Sequence, residues 1–163
     1  TGKSAVGKEL SKKLGVSFSD SDEKIEKLYG NSIAQIFKDS GEPHFRNLEE
    51  KVFCEFFESG PHIISSGGGT ILSARSRQFI SNRSYSIWLK SDEEKILSRI
   101  NKNNDRPLLS NSNPSKILNL LLKERRKFYC KADFHLENGE KSIEDLAIEI
   151  TEKLIREKVL TYE

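Results

Sequence analysis

Several short patterns in this chain bring together residue types that can hold and move a phosphoryl group. Gly2-Lys3-Ser4 runs into helix-forming residues and matches the end of the pattern GxxxxGK[ST]. In that pattern loop amides and a helix N-terminus cradle phosphates, the lysine reaches the β- and γ-phosphates, and the hydroxyl ligates Mg²⁺. Three residues also occur by chance, and the first glycine would precede Thr1. The strand that normally feeds such a loop is missing as well, so a sequence trimmed at its start is expected.

Phe18-Ser19-Asp20-Ser21-Asp22 sets two carboxylates at i and i+2 where a strand should end and a helix begin. Strand residues two apart face the same way, and ligands of open α/β sheets bind beyond the strands' carboxyl ends. One acid can then hold a Mg²⁺-bound water and the other accept a proton from an attacking hydroxyl. Asp22 is equally an ordinary helix N-cap. Further on, His62–Ser66 leads into Gly67-Gly68-Gly69. Backbone without side chains lets a ligand approach closely and offers amides to an anion; a flexible turn is the plainer reading.

Arg46 sits early in an amphipathic helix, and Arg125 opens Arg125-Arg126-Lys127 near the end of another. Guanidinium forks suit bidentate carboxylate recognition. Solvated surface charge, or basic residues favoured at a helix C-terminus, would also account for them. Arg106-Pro107-Leu108-Leu109 lies in a polar stretch, 101–113, that has the length and composition of a mobile lid. A lid arginine can offset charge on a moving phosphoryl group; a stray loop arginine is the alternative. Arg99 can stack on adenine or simply end a helix at the surface.

The elements that must position these residues alternate short apolar runs with longer helical ones, an α/β pattern with a parallel sheet. Strands are predicted at Val16–Phe18, His62–Ser65, Tyr85–Leu89 and Phe134–Leu136. Helices are predicted over Ser4–Leu14, Asp22–Tyr29, Ile33–Asp39, about Pro43–Glu58, Ser91 to about Ile100, Pro114 to about Lys131, and Ser142–Lys158. Phe45, Leu48, Val52 and Phe56 share one face, as do Ile143, Leu146, Ile150 and Leu154. Ser91 with Glu94 forms a capping-box pattern, and Gly15 suits a left-handed helix end. No repeat or linker divides the chain, so a single domain over residues 1–163 is expected.

Composition narrows the partners. The 163 residues carry a formal net charge of +2 with 27 basic and 25 acidic side chains, which gives no support for a nucleic-acid partner. No apolar run approaches the ~20 residues that span a bilayer. Cys54 and Cys130 lack metal-ligand spacing, and two reduced, buried thiols in a cytoplasmic protein are expected. No large apolar stripe is left over once the helices pack, so a monomer is expected.

Taken in order, GKS, FSDSD, PHFRNLE, ISSGGG, RPLL and ERRKFY resemble the shikimate kinase family from end to end. The combination is specific, whereas the GKS fragment alone is shared by many nucleotide-binding proteins. The resemblance implies a three-layer P-loop sandwich whose five parallel strands run in the order 2-3-1-4-5, flanked by helices, with a mobile lid and with the first strand missing from this chain. It implies Mg²⁺-dependent transfer of the ATP γ-phosphate to the 3-hydroxyl of shikimate, in chorismate and aromatic amino-acid biosynthesis. By position, Thr1, Gly2, Lys3, Ser4 and Ala5 would bind ATP, with Ser4 on Mg²⁺ and Asp20 supporting that ion through water. Asp22 would bind the shikimate hydroxyls and act as base. Arg46 and Arg125 would clamp the carboxylate over Gly67, Gly68 and Gly69. Arg106 would be the lid arginine and Arg99 an adenine neighbour, both with Lys3 on the nucleotide side.

Two departures touch that pattern. A proline common between the family's Arg and Tyr is replaced within Arg125-Arg126-Lys127-Phe128-Tyr129. The basic residue expected near adenine has no clean match, Lys141 serving only with a one-residue gap. Rival readings are a related kinase for gluconate or a nucleoside monophosphate, and a kinase-like protein that binds ligand without catalysis.

Overall fold

The computed structural model describes residues 2–58, 60, 62–92, 94, 96 and 114–160. Thr1, Arg99, Arg106, the expected lid 101–113 and most of the helix expected after Ser91 lie outside them. In chain order the elements are α1 (Lys3–Leu14), β1 (Ser17–Asp20), α2 (Ser21–Tyr29), α3 (Ile33–Glu55), β2 (His62–Ser65), α4 (Ala74–Arg83), β3 (Ile87–Lys90), α5 (Pro114–Tyr129), β4 (Phe134–Glu137) and α6 (Ile143–Arg156). Short 3₁₀ turns cover Phe56–Glu58 and Thr70–Leu72.

β1 pairs in parallel with β2, and β3 with β4, giving two two-stranded sheets among the described residues.

Helices cover both faces. Val6 and Leu10 of α1, four residues apart and therefore on one face, join Leu89, Leu136 and the α6 residues Leu146, Ala147, Ile150 and Leu154 in one apolar cluster. Ile25 of α2 and Ile36, Phe45, Leu48, Val52 and Phe53 of α3 form another, closed by Phe56. Adjacent residues of β2 serve opposite clusters, Ile63 the first and Ile64 the second, as the two-residue strand period requires.

Several boundaries differ from those predicted. β1 runs on to Asp20, so the strand–helix junction falls between the two acids. The helices expected at Ile33–Asp39 and about Pro43–Glu58 follow each other within Ile33–Glu55 and are divided at Gly41 (φ 77°, ψ 170°), whose dihedrals are not helical, two residues before Pro43. The left-handed dihedral at Gly41 suits a residue without a β-carbon. α4, capped by the Ser73 side chain on Ser76 N, has too little apolar periodicity to be read from sequence. Ile143 is 47% exposed rather than inward, because as the first residue of α6 it has no facing partner in the cluster that buries Leu146. Both cysteines are free, but Cys130, in the turn after α5, is exposed and only Cys54 is buried.

Candidate active site

The phosphate-loop fragment opens α1. Gly2 takes left-handed dihedrals (φ 81°, ψ 16°), and its carbonyl accepts from Val6 N at 3.0 Å, so the turn into the helix begins at the glycine. The N-cap residue, Gly2, has no side chain with which to cap this end, and helix N-terminal amides are donors that anions accept from. Gly7 lets α1 lie close to β1: a β-carbon there would stand 2.6 Å from Phe18 Cε2.

Ser4 Oγ donates to Asp20 Oδ2 at 2.6 Å and lies 3.3 Å from Ser65 Oγ at the end of β2. The same aspartate's Oδ1 accepts from Asp22 N at 3.0 Å and Glu23 N at 3.4 Å. Asp20, not Asp22, is therefore the cap of α2. That corrects the plainer sequence reading, because the strand runs two residues further than predicted. With Asp20 turned to Ser4 and to the helix amides, Asp22 lies in the first turn of α2, on the other side of the junction.

There it meets the glycines. Buried Ser21 accepts from Gly67 N through Oγ at 2.9 Å and draws the loop after β2 against the start of α2. A β-carbon on Gly67 would stand 2.7 Å from Asp22 Oδ1 and collide with Glu49 Oε1. One on Gly68 would stand 3.2 Å from Arg125 Nη1, and one on Gly69 would overlap the Arg46 guanidinium. Three consecutive glycines thus face the acid and the two arginines that sequence reasoning had assigned to an acceptor.

Arg46 is held by carboxylates on its own helix. Glu49 Oε2 accepts from Nη1 at 2.6 Å, while Glu42 Oε1 accepts from Nε at 3.1 Å and Nη2 at 3.0 Å. Burial alone would lower the guanidinium pKa; Glu49 first and Glu42 second outweigh it and raise it. Glu49 is 3% exposed, and its other oxygen accepts from Thr70 Oγ1 at 3.1 Å. Sequence reasoning missed Glu49; the available signal was an acid three residues after Arg46, on the face of Phe45, Leu48 and Val52.

Across the glycines, Tyr129 Oη donates to Gly68 O at 2.7 Å, and the ring stacks on Trp88 with centroids 5.6 Å apart. Burial pushes the Tyr129 phenol pKa up, with Arg125 pulling weakly the other way, so the phenol stays a neutral donor. Arg125 Nε is buried with no hydrogen-bond partner among the described residues. No proline interrupts Arg125–Tyr129, and α5 continues through Lys127 to Tyr129. Lys141 pairs with Glu149 of α6. Lys3, Gly67, Gly68 and Arg125 line one continuous hollow.

A helix opening on Lys-Ser, backed by a strand-end aspartate and looking onto a second, glycine-floored pocket, places this α/β chain among the P-loop kinases of small molecules. Residues 1–155 match the family model described as shikimate kinase, and the chain belongs to that family. It is 39% identical over 153 residues to a shikimate kinase of Cereibacter sphaeroides, covering 94% of this chain and 77% of that one. A shikimate kinase of Caulobacter vibrioides is 37% identical over 139 residues, covering 85% and 70%. Among solved structures, the shikimate kinase of Acinetobacter baumannii in complex with shikimate superposes with a TM-score of 0.93 at 34% identity, over 98% of this chain and 89% of that one. That of Aquifex aeolicus gives 0.83 at 38% identity, over 96% and 92%.

Proposed function

We propose that this chain transfers the γ-phosphate of ATP to the 3-hydroxyl of shikimate, giving shikimate 3-phosphate. The observation that carries the reading is the sequence of faces along the glycine floor: Asp22 at Gly67, Arg125 at Gly68 and Arg46 at Gly69. Glu49 also stands at Gly67 but is engaged by Arg46 and Thr70; Asp22 beside two guanidiniums suits a ligand that bears hydroxyls at one end and a carboxylate at the other. The orphaned Arg125 Nε supports it, since a buried polar atom calls for a partner and an anionic ligand provides one.

On the nucleotide side, Gly2, Lys3, Ser4 and Ala5 meet the phosphates at the N-terminus of α1, with Thr1 just before them. Ser4 Oγ and the Asp20 carboxylate are adjacent oxygen donors, the set a hard cation prefers. Ser4 would hold Mg²⁺ and Asp20 would support it through water; bound there, the ion neutralises charge on the phosphate oxygens. Lys3 offsets charge on the transferring group, and Asp22 orients the acceptor hydroxyl and takes its proton. Arg106 as lid arginine and Arg99 as adenine neighbour complete the reading on the family resemblance. Residues 1–163 act in it as a single domain, a monomer in the cytoplasm. Among the described residues no helix is long and apolar enough to cross a membrane.

The test is ADP formation with shikimate and gluconate offered separately, with Mg²⁺ present or withheld. Turnover that needs both shikimate and Mg²⁺ is the expected result. Equal or better turnover with gluconate, or ATP binding without transfer to shikimate, would overturn the reading.

A further inference from the structure

Arg77 of α4 lies outside every role assigned so far. Its Nη1 donates to two successive carbonyls of the turn that follows the glycines, Ile71 O at 2.9 Å and Leu72 O at 2.7 Å. Its Cζ lies 4.2 Å from the centre of the Phe128 ring on α5. The guanidinium therefore bridges the downstream end of the glycine floor and the last turn of α5. Phe128 and Tyr129 lie three and four residues after Arg125, so they share its side of the helix. Tyr129 is tied to the upstream part of the same floor through Gly68 O, and its other face is stacked on Trp88.

We propose that Arg77 is a positioning residue for acceptor recognition: with Phe128 it locks the end of α5 onto the glycine floor and so fixes where Arg125 meets the acceptor carboxylate. The inference rests on the reading of Arg125 as an acceptor ligand. Its physical basis is that one guanidinium nitrogen, Nη1, satisfies two loop carbonyls while the ring face of Phe128 attracts the same cation. A shift of either partner moves Arg125 relative to Gly68, where a β-carbon would stand 3.2 Å from Arg125 Nη1.

The experiment compares the parent with Arg77→Ala, Arg77→Lys, Phe128→Ala and the Arg77→Ala/Phe128→Ala double variant. The KM for shikimate should rise about tenfold in each alanine variant, since small misplacements of a binding group are costly. The double variant should be no worse than either single one, and the KM for ATP should stay within about twofold of the parent. Arg77→Lys, which keeps the cation but not the fork, should recover part of the loss. Equal rises in both KM values, or none, would overturn the proposal, as would additive losses. If Arg77→Ala does not fold, Arg77→Lys decides by the same shikimate-against-ATP comparison.

A readout independent of the substrate separates this claim from the proposed function. Trp88 is the single tryptophan of the sequence and stacks on Tyr129. Its emission in the ligand-free Arg77 variants should differ from the parent; an unchanged spectrum would overturn the brace. Should the parent fail to phosphorylate shikimate, the functional reading falls, and the Trp88 spectrum still decides this one.

Discussion

Asp20 and Asp22 are two residues apart and have different jobs, because the backbone changes from strand to helix between them. Asp20 binds Ser4 and the α2 amides, whereas Asp22 faces Gly67. Asp22→Asn should lower kcat by about 10²–10⁴-fold, the range of general-base contributions, with a smaller change in KM; near-normal turnover in steady-state assays would remove it as base. Gly69→Ala puts a methyl group into the Arg46 guanidinium and should abolish measurable acceptor saturation while leaving ATP binding intact in a nucleotide titration. Arg46, Arg125 and the glycines were legible as candidates because guanidinium forks suit carboxylate recognition and a triple glycine directly after a strand admits close approach. Their convergence was not, since Gly69 and Arg46 are brought together by the packing of α3 against the loop. Glu49 was hidden for the same reason: an acid on a helix looks solvated until the Thr70 hydroxyl and Arg46 are seen to enclose it.

At the scale of elements, caps and short polar links set the positions that side chains then exploit. Ser73 caps α4 and also donates to Glu50 of α3, so Ser73→Ala should cost about 1 kcal/mol or somewhat more in urea unfolding. Asp133 ties the start of β4 to β3: its Oδ2 accepts from Ser86 N at 2.7 Å and Ser86 Oγ at 2.6 Å. Partial burial would raise the Asp133 pKa, but the bonds from Ser86 outweigh it and hold it below the usual carboxylate value. A folded-state pKa below the unfolded one means that the carboxylate form stabilises the fold. That contribution is complete above the unfolded pKa of roughly 4 and is lost as pH falls through the folded value. Thermal melts should therefore drop less steeply below about pH 4 in Asp133→Asn than in the parent; identical slopes would contradict the assignment. Helix positions were mostly legible, since α1, α3 and α6 show clear 3.6-residue periodicity. Their ends were less so: the extension of β1 to Asp20 depends on pairing with Ser65, a contact distant in sequence.

At the scale of the molecule, two apolar clusters lie on opposite faces of the strands, and β2 contributes to both. Leu136, 1% exposed in one, and Ile25, fully buried in the other, should each cost about 2–5 kcal/mol on truncation to alanine. Both substitutions should shift one common unfolding transition if the clusters belong to a single cooperative domain, whereas separate transitions would show two. The α/β class and the order of motifs were readable from the residues; which strands pair was an expectation from the family resemblance alone, because pairing partners are set by tertiary contacts. On the proposed reading the glycine floor holds a carboxylate between Arg46 and Arg125 while the phosphoryl group arrives from α1. Its most direct test compares kcat/KM for shikimate and for the corresponding carboxamide in the parent and in an Arg46→Ala/Arg125→Ala variant. Loss of the carboxylate should cost the parent about 2–5 kcal/mol and the variant much less. Equal use of the two acceptors by the parent, or the same loss in both proteins, would contradict the account.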